Sequence, residues 1–125
     1  MSVVTPIPET GETSGTAISS ADVNGAAVFS AAGERLGHID HLVIDKKSGA
    51  ISYAVMGFGG FMGIGEEHHP IPWRALRYDT QLDGYVTDIT ADMLKGAPER
   101  PEDWATNRDY ATNAYGYYGI SPYWV

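Results

Sequence analysis

The alternation of apolar and polar residues between positions 26 and 87 predicts a series of short β-strands. Runs rich in β-branched, aromatic and other apolar residues are separated by glycine-containing turns, which is the usual signature of strands and hairpins. Five or six short strands of this kind are typical of a small barrel or sandwich. The predicted strands are Ala26–Ser30, Leu36–Asp45, Ala50–Met56, His68–Ile71, Leu76–Tyr78 and Tyr85–Thr87.

The longest predicted strand, Leu36–Asp45, contains a break in its alternation. Ile39 and Leu42 are an odd number of residues apart, so they cannot share a face in a regular strand. We therefore predict either a β-bulge near Asp40 and His41 or a strand that is covered on both faces.

Two short helices are predicted beside the strands. Ser19 is suited to cap a first helix, which Asn24-Gly25 would end after about one turn. Thr90 is suited to cap a second helix, and Gly96 would end it. The predicted fold class is therefore all-β, with short peripheral helices.

Composition divides the chain into three parts. Residues 1–18 are rich in Thr, Ser, Gly, Pro and Glu, lack periodicity, and are predicted to form a flexible N-terminal arm. Residues 19–98 contain the predicted strands and helices and form one domain. Residues 99–125 are an aromatic-rich C-terminal extension, which we expect to lie on its own barrel or on another subunit. Its predicted contact residues are Tyr115, Tyr117, Tyr118 and Trp124.

Net charge narrows the classes of partner. The chain of 125 residues carries a formal charge of −8, from 16 acidic and 8 basic side chains. This charge opposes binding to nucleic acid, because phosphate neutralisation needs clustered Lys and Arg, and it opposes attachment to anionic lipid. No apolar run reaches the length of a membrane span, and the N-terminus lacks the pattern of a secretory signal. We expect a cytoplasmic protein that neither binds nucleic acid nor inserts directly into a membrane.

A set of short motifs follows in order along the chain: Asn24-Gly25, Gly33–Ile39, Leu42–Asp45, the Gly-Gly-Phe-x-Gly run from Gly59, Ile71–Trp73, Leu94 and Pro98. In order and spacing they resemble the PRC-barrel domain family. That family is named for the cytoplasmic domain of the photosynthetic reaction-centre H subunit, and it includes the C-terminal domain of a ribosome-maturation factor. The resemblance covers about residues 19–98. It implies a small, partly open β-barrel that acts chiefly as an interaction scaffold.

Two parts of these family members have no counterpart in this sequence. The reaction-centre H subunit carries a membrane-spanning helix before the barrel, and the ribosome factor carries another N-terminal domain. Residues 1–18 can stand in for neither of them. We therefore expect a free-standing, single-domain member of the family.

Four histidines lie in two groups, each beside acidic residues. If the strands that carry them are neighbours, nitrogen and oxygen ligands would be available for a metal ion. The spacing argues against such a site, because His68 and His69 would point to opposite faces of a strand. We expect histidines at strand and loop edges, with no metal or other cofactor. The candidate ligands, were a site to form, are His38, His41, His68 and Glu66.

Catalytic and nucleotide-binding motifs are missing from the sequence. Glu66 and Glu67 are adjacent, and adjacent carboxylates rarely converge on one substrate. A dinucleotide-binding pattern that began at Gly57 would need glycine at the position of Met62. No Gly-Lys-Ser or Gly-Lys-Thr is present, which excludes a P-loop. We therefore predict that the protein is not an enzyme.

The glycine-rich segment, residues 57–65, is the most unusual part of the sequence. Five of its nine residues are glycine, and four large apolar side chains lie among them. The glycines either allow tight local contacts or carry a surface that binds a partner, such as a second copy of this chain. The predicted contact residues are Phe58, Phe61, Met62 and Ile64.

Together these patterns favour a non-catalytic protein-interaction module. We expect a homodimer that self-associates through the glycine-rich segment and the aromatic extension, and that also binds a protein client. The resemblance implies two alternatives. One is an accessory protein of a membrane electron-transfer complex similar to the reaction centre, and the other is a protein-binding domain in ribosome assembly.

Overall fold

The computed structural model describes residues 17–59 and 66–124. Its main element is a six-stranded sheet that curls into a half-barrel, with short helices and one 3-10 turn (Trp73–Ala75) around it. This architecture confirms the predicted all-β, partly open barrel. The strands are β1 (Ala27–Ser30), β2 (Arg35–Ile44), β3 (Ile51–Phe58), β4 (Glu67–Pro72), β5 (Leu76–Asp79) and β6 (Gly84–Thr87), and the helices are α1 (Ser20–Val23), α2 (Ala91–Lys95) and α3 (Arg108–Tyr117).

The strand order in the sheet is β4-β3-β2-β1-β6-β5. Neighbouring strands are antiparallel except for β1 and β6, which run parallel with Val28 opposite Tyr85. Short turns account for the hairpins β2–β3 and β5–β6, as the sequence predicts. The parallel pair joins the β5–β6 hairpin to the other four strands, and it is not among the sequence predictions.

Helix caps and turns occur where the sequence signals them. The Ser19 side chain accepts a hydrogen bond from the N–H of Ala21 at the start of α1. Thr90 accepts one from the N–H of Met93 at the start of α2. Gly49, in the turn between β2 and β3, adopts a φ of +80°, a left-handed conformation that favours glycine.

Strand β2 contains the predicted bulge. Its register with β3 shifts after Ile39, so that Asp40 has no Cα partner on that strand. The extra residue lets Ile39 and Leu42 both contact the core, although a regular strand would place them on opposite faces. At the bulge, Asp40 is the extra residue of β2 and lies opposite no residue of β3.

One face of the sheet covers an aliphatic core to which all six strands contribute. Trp73 is partly buried at the margin of this core, with its ring 5.4 Å from that of Tyr85. The buried residues of the aliphatic core are Val23, Val28, Ile39, Ala54, Met56, Ile71, Leu76, Tyr85, Ile89 and Leu94.

The opposite face of β3 supports a second, aromatic core. Side chains alternate along a strand, so Tyr53 points away from the aliphatic core that its neighbour Ala54 joins. Helix α3, which the sequence analysis did not predict, covers Tyr53. The buried residues of the aromatic core are Tyr53, Tyr110, Ala111, Ala114 and Tyr115.

The C-terminal extension therefore lies on its own chain. The Tyr115 hydroxyl donates a hydrogen bond to the carbonyl of Ser52, and the Tyr123 hydroxyl donates one to Asp45 at 2.9 Å. Tyr115 is only 2% exposed, because α3 directs it towards Tyr53. This residue, predicted to contact another protein, instead makes its contacts within the chain.

Candidate functional site

A line of residues across three strands forms the base of the candidate site. Gly57 on β3 lies opposite His38 on β2 and opposite His68 on β4. Residues in register on neighbouring strands share a face of the sheet, which here is the face that Tyr53 occupies farther along β3. Because glycine has no side chain, the space above β3 between the two imidazoles is open.

The carboxylate of Glu66 lies in this space. Its Oε1 atom is 3.4 Å from Nε2 of His38 and 3.1 Å from Nε2 of His68. The Glu66 side chain is 13% exposed, whereas those of His38 and His68 are 30% and 47% exposed. A largely buried acid is thus held by two histidines from strands that are not neighbours.

Gly57 is required for this arrangement. A Cβ atom at this position would collide with Oε1 of Glu66 and would lie 2.7 Å from Cε1 of His38. A larger residue would therefore push the carboxylate out of its position between the histidines. Gly57, the first glycine of the glycine-rich segment, is needed because the Glu66 and His38 side chains lie close to its backbone, and not because the chain turns there.

Two further side chains extend the site along β2. The bulge places Oδ2 of Asp40 2.6 Å from Nδ1 of His41 and Oδ1 of Asp40 4.0 Å from Nε2 of His68. The hydrogen bond with His41 lowers the pKa of Asp40, desolvation opposes this effect, and the nearby histidine charges add to the lowering. We name the five residues the acid–histidine cluster: His38, Asp40, His41, Glu66 and His68.

Comparison with known protein families identifies the barrel. A family model for the PRC-barrel domain matches residues 15–94, which is more than half of the chain. This chain belongs to the PRC-barrel domain family. No curated protein matches it. The PRC-barrel match includes every element from α1 to β6 and most of α2, whereas α3 lies beyond the matched residues.

This PRC-barrel domain brings three of the four candidate metal ligands together. His38, Glu66 and His68 meet directly, and His41 joins them through Asp40. Within residues 17–59 and 66–124, no group of three His, Asp or Glu side chains is placed to hold a metal ion. In these contacts the imidazole nitrogens lie between 2.6 and 4.0 Å from carboxylate oxygens, and the expected lack of a metal stays a prediction.

Strand alternation in β4 separates the two adjacent histidines, as predicted. His68 faces the acid–histidine cluster, whereas Nε2 of His69 lies 3.2 Å from Oε2 of Glu67. The Glu67 side chain is 66% exposed, so this second pair is open to water. Glu66 and Glu67 therefore have different partners and do not converge on a common point.

An open cleft borders the cluster beside β4. Arg100 donates a hydrogen bond from Nη1 to the carbonyl oxygen of His68 at 2.7 Å. Lys95 reaches the same cleft from the end of α2. Sequence reasoning missed both bases, because no local pattern indicates that the residues around α2 lie beside β4. The cleft is lined by Glu67, His68, His69, Leu94, Lys95 and Arg100.

The glycine-rich segment is described only at its beginning. Phe58, the last residue of β3, is partly buried against the aliphatic core. The other predicted contact residues, Phe61, Met62 and Ile64, lie outside the described residues. Where the chain is described, no helix is long and apolar enough to span a membrane.

The predicted contact residues of the extension differ in exposure. Tyr117 is 41% exposed, and its hydroxyl donates to the carbonyl of Met93 at 2.7 Å. Tyr118 is partly buried against the aliphatic core, and Trp124 against the aromatic core. Burial raises the pKa of Tyr115 and of Tyr118 to about 12. Of the four, Tyr117 has the largest exposed fraction.

Proposed function

We propose that this PRC-barrel protein is a non-catalytic interaction module that forms a homodimer through the glycine-rich segment and also binds a protein client. The observation that carries the proposal is the position of the C-terminal extension. Tyr110 and Tyr115 of the extension cover Tyr53 within the same chain, so these two side chains are not available to a partner. The glycine-rich segment has four large apolar side chains, of which Phe58 reaches the aliphatic core only in part.

The arrangement of the acidic residues supports a role without catalysis. Acid–base catalysis needs groups that converge on one reacting position. Glu66 is paired with two histidines on one face of β4, while Glu67 is paired with His69 and open to solvent. The two adjacent carboxylates therefore do not form an acid–base pair.

Light scattering over a series of protein concentrations tests self-association. The chain has a mass of 13.5 kDa, and we expect the measured mass of the wild type to rise towards twice that value. The double variant Phe61→Ser/Met62→Ser should remain monomeric, because it removes apolar contact area. The matched control, Tyr78→Ser/Leu82→Ser, removes two exposed apolar side chains near the β5–β6 hairpin and should behave like the wild type.

Two results would contradict this assignment of the interface. A wild-type mass that stays at 13.5 kDa at every concentration would exclude the homodimer. A dimer that persists in Phe61→Ser/Met62→Ser and is lost in Tyr78→Ser/Leu82→Ser would place the contact at the β5–β6 hairpin instead.

A second candidate is an accessory role at a membrane electron-transfer complex. The acid–histidine cluster favours it, because histidine exchanges protons near neutral pH and these side chains are partly exposed. Sedimentation of the chain with membranes from its own source tests this role, with Glu66→Gln as the comparison. Recovery of the wild type in the supernatant alone would count against it.

A further inference from the structure

Strand β5 forms the edge of the sheet farthest from β4, and in the described part of the chain it pairs only with β6. The N–H of Leu76 donates to the carbonyl of Trp73 rather than to β6. Backbone groups of residues two apart in a strand point to the same side, so the N–H and the carbonyl of Tyr78 also point away from β6. These groups are therefore available to another strand.

The two edges of the sheet differ in their capacity to accept a further strand. The β4 edge contains Pro70 and Pro72, and its His68 carbonyl already accepts a hydrogen bond from Arg100. Proline has no N–H to offer, and its presence is a common protection of an edge. The sequence of β5 contains no proline. A further strand therefore fits the β5 edge better than the β4 edge.

Exposed apolar side chains lie beside the open edge. Tyr78 is 48% exposed, and Leu82, in the turn after β5, is 39% exposed. Both border an open groove between the β5–β6 hairpin and the turn that joins β1 to β2, where Ala31 and Ala32 lie. Because side chains alternate along a strand, a strand added to β5 would place some of its side chains beside Tyr78 and others beside the groove.

The charge of the hairpin indicates which partner would be attracted to this edge. Residues 76–88 carry three aspartates and one arginine, a formal charge of −2. Arg77 pairs with Asp88 at 3.5 Å, and the Asp88 side chain is 80% exposed. Two copies of this chain placed edge to edge would bring like charges together, whereas a basic segment would be attracted.

We propose that the β5 edge binds an extended segment of the protein client, which carries lysine or arginine side chains and adds a seventh strand to the sheet. The proposal rests on the client-binding part of the proposed function. In strand addition, main-chain hydrogen bonds, here to Tyr78, provide affinity, and alternate side chains provide specificity. Basic side chains complement the hairpin and also the whole chain, which has a formal charge of −8.

Two synthetic peptides of equal length test the position and the charge of the bound segment. One alternates valine with lysine, and the other alternates valine with glutamate. Amide hydrogen exchange of the full chain is followed by NMR with each peptide. We expect saturating lysine peptide to slow exchange of the Tyr78 N–H by about tenfold and the glutamate peptide to leave it unchanged. No protection by the lysine peptide, or equal protection by both peptides, would overturn the proposal.

Two substitutions of Tyr78 separate the backbone edge from the side chain. Tyr78→Pro removes the ring and the outward N–H, and an edge strand tolerates proline where that N–H faces away from its neighbour. Tyr78→Ser removes the ring and keeps the N–H. In anisotropy titrations of labelled lysine peptide, we expect a Kd about tenfold higher for Tyr78→Pro than for Tyr78→Ser. Equal Kd values in two variants that circular dichroism shows to be folded would overturn the proposal. The exchange experiment on the wild type depends on neither variant.

Failure of this proposal can be distinguished from failure of the homodimer. A wild-type mass that stays at 13.5 kDa would contradict self-association and leave peptide binding unaffected. A dimer that does not bind the lysine peptide would contradict strand addition alone. Protection of the Tyr78 N–H that rises with protein concentration, without peptide, would place a second copy on β5 and would also overturn the proposal.

Discussion

At the scale of single residues, Tyr53 is the point where the barrel meets the C-terminal extension. Its ring lies 5.5 Å from that of Trp104, 6.3 Å from that of Tyr110 and 5.9 Å from that of Tyr115. The side chain is 1% exposed, and its hydroxyl has no hydrogen-bond partner in the part of the chain that is described. Burial raises the pKa of this phenol. A buried hydroxyl without a hydrogen-bond partner lowers the stability of the folded state, so phenylalanine should be tolerated at this position.

We predict that Tyr53→Phe raises the free energy of unfolding by about 1 kcal/mol, because it keeps the ring contacts and removes the unpaired hydroxyl. Tyr115→Phe is the matched control. Its hydroxyl donates to Ser52, so its removal should lower the same quantity by about 1 kcal/mol. Urea unfolding measures both values. A loss of stability in Tyr53→Phe would mean that the Tyr53 hydroxyl is satisfied, for example by a buried water molecule.

At the scale of elements, helix α3 and strand β4 determine which parts of the barrel remain exposed. Helix α3 covers one face of β3, and β4 forms one edge of the sheet. The side chain of Asn107 caps α3 by accepting from the N–H of Tyr110 at 2.9 Å. The buried residues of α3 follow helical spacing on one face. The sequence analysis missed this helix because its apolar stripe consists of Tyr and Ala rather than large aliphatic residues. A search for the cap and for that spacing would have found it.

Strand β4 lies at one edge of the sheet, and its outer side offers few free backbone groups for pairing with another strand. Residues 68, 70 and 72 share parity, so their backbone groups point to the same side, away from β3. Pro70 and Pro72 have no N–H to offer to another strand. The carbonyl of His68 is occupied by Arg100. The edge is therefore poorly suited to pair with another strand.

We predict that Arg100→Ala lowers the free energy of unfolding by about 1 kcal/mol and makes the chain more prone to aggregate, because it frees the His68 carbonyl at the edge. Arg77→Ala is the control on the other edge strand, where Arg77 makes an exposed ion pair with Asp88 at 3.5 Å. Urea unfolding and turbidity at raised temperature measure the two effects. Equal aggregation of both variants would show that Arg100 does not protect the edge.

At the scale of the whole molecule, one sheet separates two cores of different chemistry. The aliphatic core on one face contains little that ionises, whereas the aromatic core on the other face is built around tyrosines. Burial raises the pKa of several phenols, to about 12 for Tyr115 in the aromatic core and for Tyr118 beside the aliphatic core. The folded state therefore favours neutral tyrosine, and the contact between the extension and the barrel weakens at alkaline pH.

We predict that stability is retained below pH 10, the ordinary pKa of tyrosine, and is lost as the pH rises through about 12. The sign follows because a raised phenol pKa means that the unfolded chain loses its protons first. Absorbance at 295 nm and near-UV circular dichroism should change together in this range. Ionisation of all tyrosines near pH 10 with tertiary structure retained would contradict the prediction.

Much of the barrel could be predicted because its signals are local. All six strands, the bulge at Asp40 and the capped helices α1 and α2 agree with the sequence predictions. The division of the chain at residues 18 and 98, the cytoplasmic location and the homodimer stay predictions. The candidate site was predicted in its residue types but not in its contacts, since spacing along one strand does not indicate how β2, β3 and β4 are aligned.

The sequence by itself determined the strands, turns and caps, because steric limits on the backbone and hydrogen bonds to nearby side chains act over a few residues. Tertiary structure alone decided the parallel pairing of β1 with β6, the burial of Tyr115 against Tyr53, and the position of Glu66 between His38 and His68. Each of these arrangements includes a contact between residues far apart in the chain. Their free energy depends on distance and burial in the folded molecule, which no local pattern specifies.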